Sequence, residues 1–400
     1  MSVTTPIGGE EQRFSIGMLW TDTRYRSTTI QIIALFLVMI AVGFFLQNIY
    51  LNLQALGKDF RFDFLFDPAS YDINQRLIEY DSQSPHWKAA VVGILNTLLV
   101  AFLGCITATI IGVLAGVLRL SKNWVVAKLM TVYIEGVRNV PVLLQILLLY
   151  SVFIEVLPKP KKAEPMLDGM LVATNRGFYI PSMVLESGAG VVLGVFALSL
   201  IGIVFFRRHA RKVQEQTGKV LPVALVSLGL FVLPALLAFF AMGQPIGLEN
   251  PELKGFNFKG GVHMRNSLVA LWLALSIYTG AFIAEVVRAG IQAISKGQSE
   301  AAFALGLRPG RTMRLVILPQ ALRIIIPPTI SNFLNLTKNS SLAIAVGYMD
   351  ATGTLGGITL NQTGREMECI LLLMAFYLIT SLTISGVMNK YNDMVKLKER

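Results

Sequence analysis

The chain has 400 residues, 54% of them hydrophobic and 15% charged, with a net charge of +11 and a mean hydropathy of +0.60. That balance excludes a set of soluble domains and fits a polytopic membrane protein. No basic and aromatic residues interleave outside the apolar runs, which excludes nucleic acid as a partner. Cys105 and Cys369 lie in or beside apolar runs and His86, His209 and His263 are scattered, which excludes a disulfide framework and a metal site.

In chain order, a polar tail with Arg13, Arg24 and Arg26 precedes the apolar run 30–51, long enough to be a retained membrane helix rather than a cleaved signal. A polar stretch to residue 88 carries Asp59, Asp63, Asp67 and Asp72. Further apolar runs at 89–118, 132–157, 189–206, 220–242, 268–292, 323–347 and 369–388 complete eight expected spans. With both termini cytoplasmic, the inner segments 119–131, 207–219 and 293–322 are strongly basic. The outer segments 52–88 and 348–368 are net acidic, so the orientation obeys the positive-inside rule. Residues 158–267 form a Pro/Gly-rich outer segment followed by two spans without intramembrane charge, read as an inserted hairpin facing lipid.

Polar residues inside these runs are the candidates for function. The run 89–118 spaces Gly104, Ala108, Gly112 and Gly116 four apart, a stripe for close helix packing. In 132–157, Glu135 and Arg138 are spaced to pair, and Pro141 frees the carbonyl of Val137. A freed carbonyl at that depth marks either a structural kink or one wall of a cavity. In 268–292, Glu285 and Arg288 are again at i,i+3, with Thr279 and Gly280 deeper. The run 323–347 is expected to begin at Pro327-Pro328, which places Lys338 near the bilayer centre, beside Asn332, Asn335, Asn339, Ser340 and Ser341. An ammonium there costs at least about 2.5 kcal/mol unless paired or hydrated. Amides, hydroxyls and one cation match the chemistry of an amino acid zwitterion.

The stretch 293–323 is neither membrane-like nor loop-like. Ser299 is the expected N-cap of a short helix carrying Glu300, Ala301 and Ala302, with Gly306 as its exit. Arg308-Pro309-Gly310 is a turn, and a second short helix runs from about Arg311 to Leu318 before Pro319. The result is two short helices at an angle, shaped to seat in a groove of another protein.

Glu300-Ala301-Ala302, Gly306 and Ile317-Leu318-Pro319 resemble the EAA loop of permease subunits of bacterial ABC importers. The blocks 131–150, YTGAFIAEVVRAGIQAISKGQ before the loop and NFLNLTKNSSLA after it resemble the polar amino acid branch. The extra segments are most similar to the Q-type permeases of general L-amino acid importers. The resemblance covers roughly residues 89–157 and 265–390.

It implies an all-α polytopic membrane protein with about eight transmembrane helices around a five-helix permease core. The parts are 1–88 (tail, first helix and periplasmic segment), 89–157 (first core part), 158–267 (insertion), 268–390 (second core part with loop 293–323) and 391–400 (cytoplasmic tail). The implied function is ATP-driven import of L-amino acids in the bacterial inner membrane, with alternating access coupled through the loop. Lys338, Asn339, Asn332, Asn335, Ser340, Thr279, Gly280, Arg138 and Pro141 are the substrate-site candidates. Ser299, Glu300, Ala301, Ala302, Gly306, Arg308 and Pro309 are the coupling candidates.

Implied partners are a related permease forming a heterodimer, a cytoplasmic ATPase dimer that uses ATP and Mg2+, a periplasmic amino acid binding protein and membrane lipid. The chain itself holds no cofactor and, lacking G-x-x-x-x-G-K-[ST], hydrolyses nothing. The family often has an acid where this chain has Asn339, so a broad substrate range is expected. The alternatives are a secondary transporter with Glu135 or Glu285 as proton carrier, and a membrane scaffold.

Overall fold

Each apolar run is helical in the computed structural model, as it must be where no water satisfies backbone N–H and C=O groups. The structure describes residues 17–395 except 56, 58, 59 and 168, so the tail before residue 17 and the last five residues lie outside it. The chain divides into two units, 1–63 and 64–400. The first holds helix α1 (Thr23–Ala55), apolar around its whole circumference in the middle, as suits a span surrounded by lipid.

The second unit contains α2 (His86–Arg119), α3 (Trp124–Asn139), α4 (Val142–Val156), α5 (Ala189–Thr217), α6 (Val223–Ala241), α7 (Asn266–Gln292), α8 (Lys296–Ala304), α9 (Leu318–Asn339) and α10 (Glu366–Val395). Seven of the chain's described helices are long and apolar enough to cross a membrane, and eight spans result if α3 and α4 count as one. These two meet at a bend of 104°. The bend has a local cause. Pro141 forces Val140 into extended backbone and removes a helical N–H. The side-chain amide of Gln145 replaces the missing donor, reaching the carbonyls of Val137 and Val140, each at 2.9 Å.

The core forms where α2 lies against α7. A Cβ at Gly112 would sit 2.6 Å from Ile283 Cβ and 2.9 Å from the Gly280 carbonyl, and one at Gly116 would sit 2.6 Å from the Ala284 carbonyl. The small-residue stripe therefore brings two backbones together, as its spacing suggests. Leu271, Leu275 and Ile283 of α7 and Leu336 of α9 fill the space around it.

Two expectations are corrected. Pro327 and Pro328 lie inside α9, which starts at Leu318 and follows a turn at Pro309–Thr312 and a π-turn at Met313–Ile317. Lys338 therefore occupies the last turn of α9, not its centre. Similarly, α8 starts at Lys296 with Ser295 as its N-cap, which puts Ser299 within the helix.

The outer segments hold short strands that no sequence pattern foreshadows. β1 (Val172–Thr174), β2 (Gly177–Ile180) and β7 (Val262–Met264) form one antiparallel sheet in the order β1-β2-β7. β3 (Ser182–Leu185) pairs with β4 (Ile246–Glu249), and β5 (Glu252–Lys254) with β6 (Asn257–Lys259). Ile180 lies opposite Val262, so the chain leaves for the α5–α6 hairpin and returns to the same place.

At the outer end, residues 340–346 form a 3₁₀ turn after α9 and residues 352–359 a π-helical segment. Asn96 of α2 donates to the carbonyls of Gln75 (2.7 Å) and Met349 (2.8 Å), and Thr97 accepts from the Ala351 N–H at 3.0 Å. The polar stretch after α1 is thus a built structure fastened to the core rather than a linker. Tyr71 meets Thr359 at 3.0 Å, and Tyr80 donates to the Tyr71 carbonyl at 2.9 Å.

Candidate functional site

α7 and α9 both turn polar residues inward at the level where α3 breaks, and two cavities result. The first, about 290 Å³, is lined by Tyr278, Thr279, Phe282, Asn332, Asn335 and Asn339. The second, about 560 Å³, is lined by Arg138, Phe282, Glu285, Val286, Pro327, Pro328, Ser331 and Asn332. Phe282 and Asn332 are walls of both. The three asparagines meet because positions 332, 335 and 339 share one face of α9. Amides that both donate and accept suit a ligand carrying both signs of charge.

Of the sequence candidates, Thr279, Asn332, Asn335 and Asn339 come together, and Arg138 stands in the adjoining chamber. Gly280 instead faces α2, where an added Cβ would lie 3.0 Å from Ile111 Cγ2. Ser340 is buried and donates to the Thr337 carbonyl at 2.8 Å. Lys338 is exposed and lines neither cavity, and Pro141 is likewise outside both. Sequence reasoning missed Tyr278 and Phe282. Their four-residue spacing, which stacks the rings 5.0 Å apart beside Thr279, was the available signal.

The charged residues pair differently from their spacing. Glu285 does bond Arg288, its Nε lying 3.2 Å from the carboxylate. The expected pair of Glu135 with Arg138 does not form. Arg119, from the end of α2, reaches Glu135 at 3.3 Å and also bonds Glu285. Arg138 stacks on Phe282, 4.9 Å from the ring centroid, and its Nε has no hydrogen-bond partner among the described residues.

Below the cavities, α8 presents the loop face. Gly306, at φ +76°, ends the helix, with its N–H on the Phe303 carbonyl and the Leu307 N–H on the Ala302 carbonyl. Ala302 is the buried contact, while Glu300, Ala301, Phe303, Leu305, Arg308 and Pro309 are exposed. Gln320 reaches Gln298 at 3.2 Å and ties α8 to the base of α9, the helix that lines both cavities. Among the described residues no three His, Cys, Asp or Glu gather where a metal could sit.

Comparison with known proteins places this arrangement. Residues 108–394 match the family model described as "Binding-protein-dependent transport system inner membrane component". The chain is 51% identical to the glutamate/glutamine/aspartate/asparagine transport system permease protein BztB of Rhodobacter capsulatus, over 97% of each chain. It is 42% identical to the general L-amino acid transport system permease protein AapQ of Rhizobium johnstonii, over 99% of this chain and 98% of that one. A solved amino acid ABC transporter with histidines superposes with a TM-score of 0.45 at 21% identity, covering 77% of this chain and 95% of that one, too loosely to carry an argument. The chain is a multi-pass membrane protein that belongs to the family of inner-membrane components of binding-protein-dependent transport systems.

Proposed function

We propose that the chain is the permease subunit of an ATP-driven importer of L-amino acids. The observation that carries this reading is a single helix, α9, with an amide-lined cavity at one end and the exposed α8 knob tied to its base. Substrate enters the cavity of Thr279, Asn332, Asn335 and Asn339 from a periplasmic binding protein. A cytoplasmic ATPase dimer, which uses ATP and Mg2+, receives α8 with Glu300, Ala301, Arg308 and Pro309 at the contact. Closure of that dimer moves α8, and α9 carries the motion to the cavity. Both termini and α8 then lie on the cytoplasmic side of the bacterial inner membrane.

A second permease of the same family covers the open side of the cavity. Lys338 supports this, because an exposed ammonium beside Asn335 and Ser331 is unsuited to lipid and suited to a wet interface between subunits. The likeness to permeases named for glutamate, glutamine and general L-amino acid transport supports a broad substrate range. A proton-carrying mechanism is less well supported, since Glu135 and Glu285 are both held by arginines.

The test is co-purification and uptake. Gly306→Trp puts a large side chain at a left-handed position of the knob. It should leave the chain inserted yet strip the ATPase from it and abolish uptake. Normal ATPase retention and uptake in this variant would sink the reading.

A further inference from the structure

The inner chamber carries an unbalanced charge. Around it Arg119, Arg138 and Arg288 face Glu135 and Glu285. Three guanidiniums against two carboxylates leave one positive charge over. Arg119 and Arg288 are engaged by the carboxylates, so the surplus resides on Arg138. Its Nε is buried without a partner, and its guanidinium lies on the ring of Phe282, the wall between the two chambers. An unpaired cation within a span is costly unless it faces water or awaits an anion.

The opposite wall supplies the complementary chemistry. Pro327 and Pro328 line the same chamber and have no N–H, so the carbonyls of Arg323 and Ile324 lose their helical donors. A carbonyl without its donor is an acceptor for an ammonium. Asn332 belongs to both chambers and can follow a ligand from one to the other.

We propose that Arg138 forms a carboxylate station on the inner side of the amide cavity, where a substrate carboxylate meets the guanidinium and its ammonium meets the freed carbonyls of α9. This deepens the importer reading and rests on it. In that scheme the outer cavity tolerates any side chain, and the inner station handles what every amino acid shares. Bidentate geometry and charge make guanidinium the suitable partner for a carboxylate.

The experiment compares Arg138→Gln and Arg138→Lys with the wild type in the full complex, using L-glutamate and L-glutamine as probes. Two readouts are taken: ATP-driven uptake into vesicles with saturated binding protein, and hydrogen exchange of residues 327–332 with and without millimolar probe. Losing one charge-assisted hydrogen bond should lower the R138Q uptake rate by about tenfold at unchanged KM, with partial recovery in R138K. Probe should protect 327–332 in the wild type and not in R138Q. A fall for both probes identifies the α-carboxylate as the partner, and a fall for glutamate alone identifies the side-chain carboxylate.

Wild-type uptake rates in R138Q, or an R138K as impaired as R138Q, overturn the proposal. So does equal protection of 327–332 in wild type and R138Q. If the wild type shows no ATP-driven uptake, the importer reading fails instead, and the exchange measurement still decides for or against Arg138.

Discussion

Helices α6 and α7 look alike by hydropathy and differ in almost everything else. Both exceed the threshold for a span, and α6 is the more apolar, at a mean hydropathy of 2.6 against 1.9. Yet 72% of the apolar window of α7 is buried inside the protein and only 6% of that of α6. α7 carries small residues against α2, polar residues into a cavity and a charge network at its inner end. α6 packs chiefly on α5 and exposes Leu225, Leu228, Leu237 and Phe240. Apolarity thus marks a helix as membrane-borne, and the interruptions in that apolarity mark where it sits. A helix in lipid can be uniformly greasy, whereas one at the centre must offer close contacts and polar groups.

The strongest way to break this contrast is to add bulk at equivalent glycines. Gly112→Leu drives a side chain into the Gly280 carbonyl and Ile283, where backbone cannot yield. Gly202→Leu in α5 meets nothing within 4 Å. Overpacking costs roughly 1–3 kcal/mol where side chains can shift, and more is expected against backbone. Gly112→Leu should therefore abolish the folded peak in size-exclusion chromatography, and Gly202→Leu should leave its height and melting temperature unchanged. Equal behaviour of the two would mean that α7 is no more central than α5.

Much of the central region was legible because its signals are local. Four-residue spacing on α2 announced a packing stripe, and Pro141 announced a break, since proline acts on its own turn. What failed was what depends on distant chain. Glu135 and Arg138 are spaced to pair, but Arg119 arrives from the end of another helix and takes the carboxylate. Pro327-Pro328 reads as a helix start, yet packing of α9 against α7 and α2 keeps the helix running through it. The strands of the insertion are three or four residues long, too short to show alternation.

A second contrast lies in buried polar groups. Asp350 is fully buried at the outer turn, with the Gly353 N–H on its Oδ1 at 2.8 Å and Tyr377 of α10 at 3.5 Å from Oδ2. Burial pushes its carboxyl up from the model value of 3.8 to about 7. The packed turn therefore holds a proton that the opened turn releases, and its stability is fullest below about pH 4. That stability is lost as pH rises toward about 7 and is level above it, by at most about tenfold in the equilibrium per pH unit. Hydrogen exchange of residues 348–359, corrected for intrinsic rates, should show this loss between pH 5 and 7. Asp350→Asn keeps the shape and should remove the slope. A slope that survives in Asp350→Asn assigns the titration to another group.

Smaller effects are expected at Asn339, where one uncharged amide faces the cavity. Asn339→Asp adds a negative charge beside Thr279 and Asn335, away from the exposed Lys338. With the binding protein held fixed, competition uptake should shift several-fold toward arginine and away from glutamate, the scale of one partly screened charge contact. An unchanged ratio with normal assembly would remove residue 339 from the substrate's path.

The smallest effect should come from removing most of the insertion. The excursion 181–261 begins and ends at the paired residues Ile180 and Val262, so its two ends are already neighbours in one sheet. Replacing it with Asn-Gly should close β2 and β7 as a two-residue hairpin, for which that dipeptide is favoured. Two spans are deleted together, so the orientation of α7 and everything after it is kept. The cavity residues Tyr278, Thr279, Phe282, Asn332, Asn335 and Asn339 all lie outside the excision, as does α8. If α5 and α6 are peripheral, the shortened chain should insert, retain its ATPase and take up glutamate within about twofold of wild type, since no buried core contact is lost and peripheral changes act weakly. A shortened chain that assembles but does not transport would show that the hairpin takes part in the cycle, and the distinction between a working core and a lipid-facing annex would have to be abandoned.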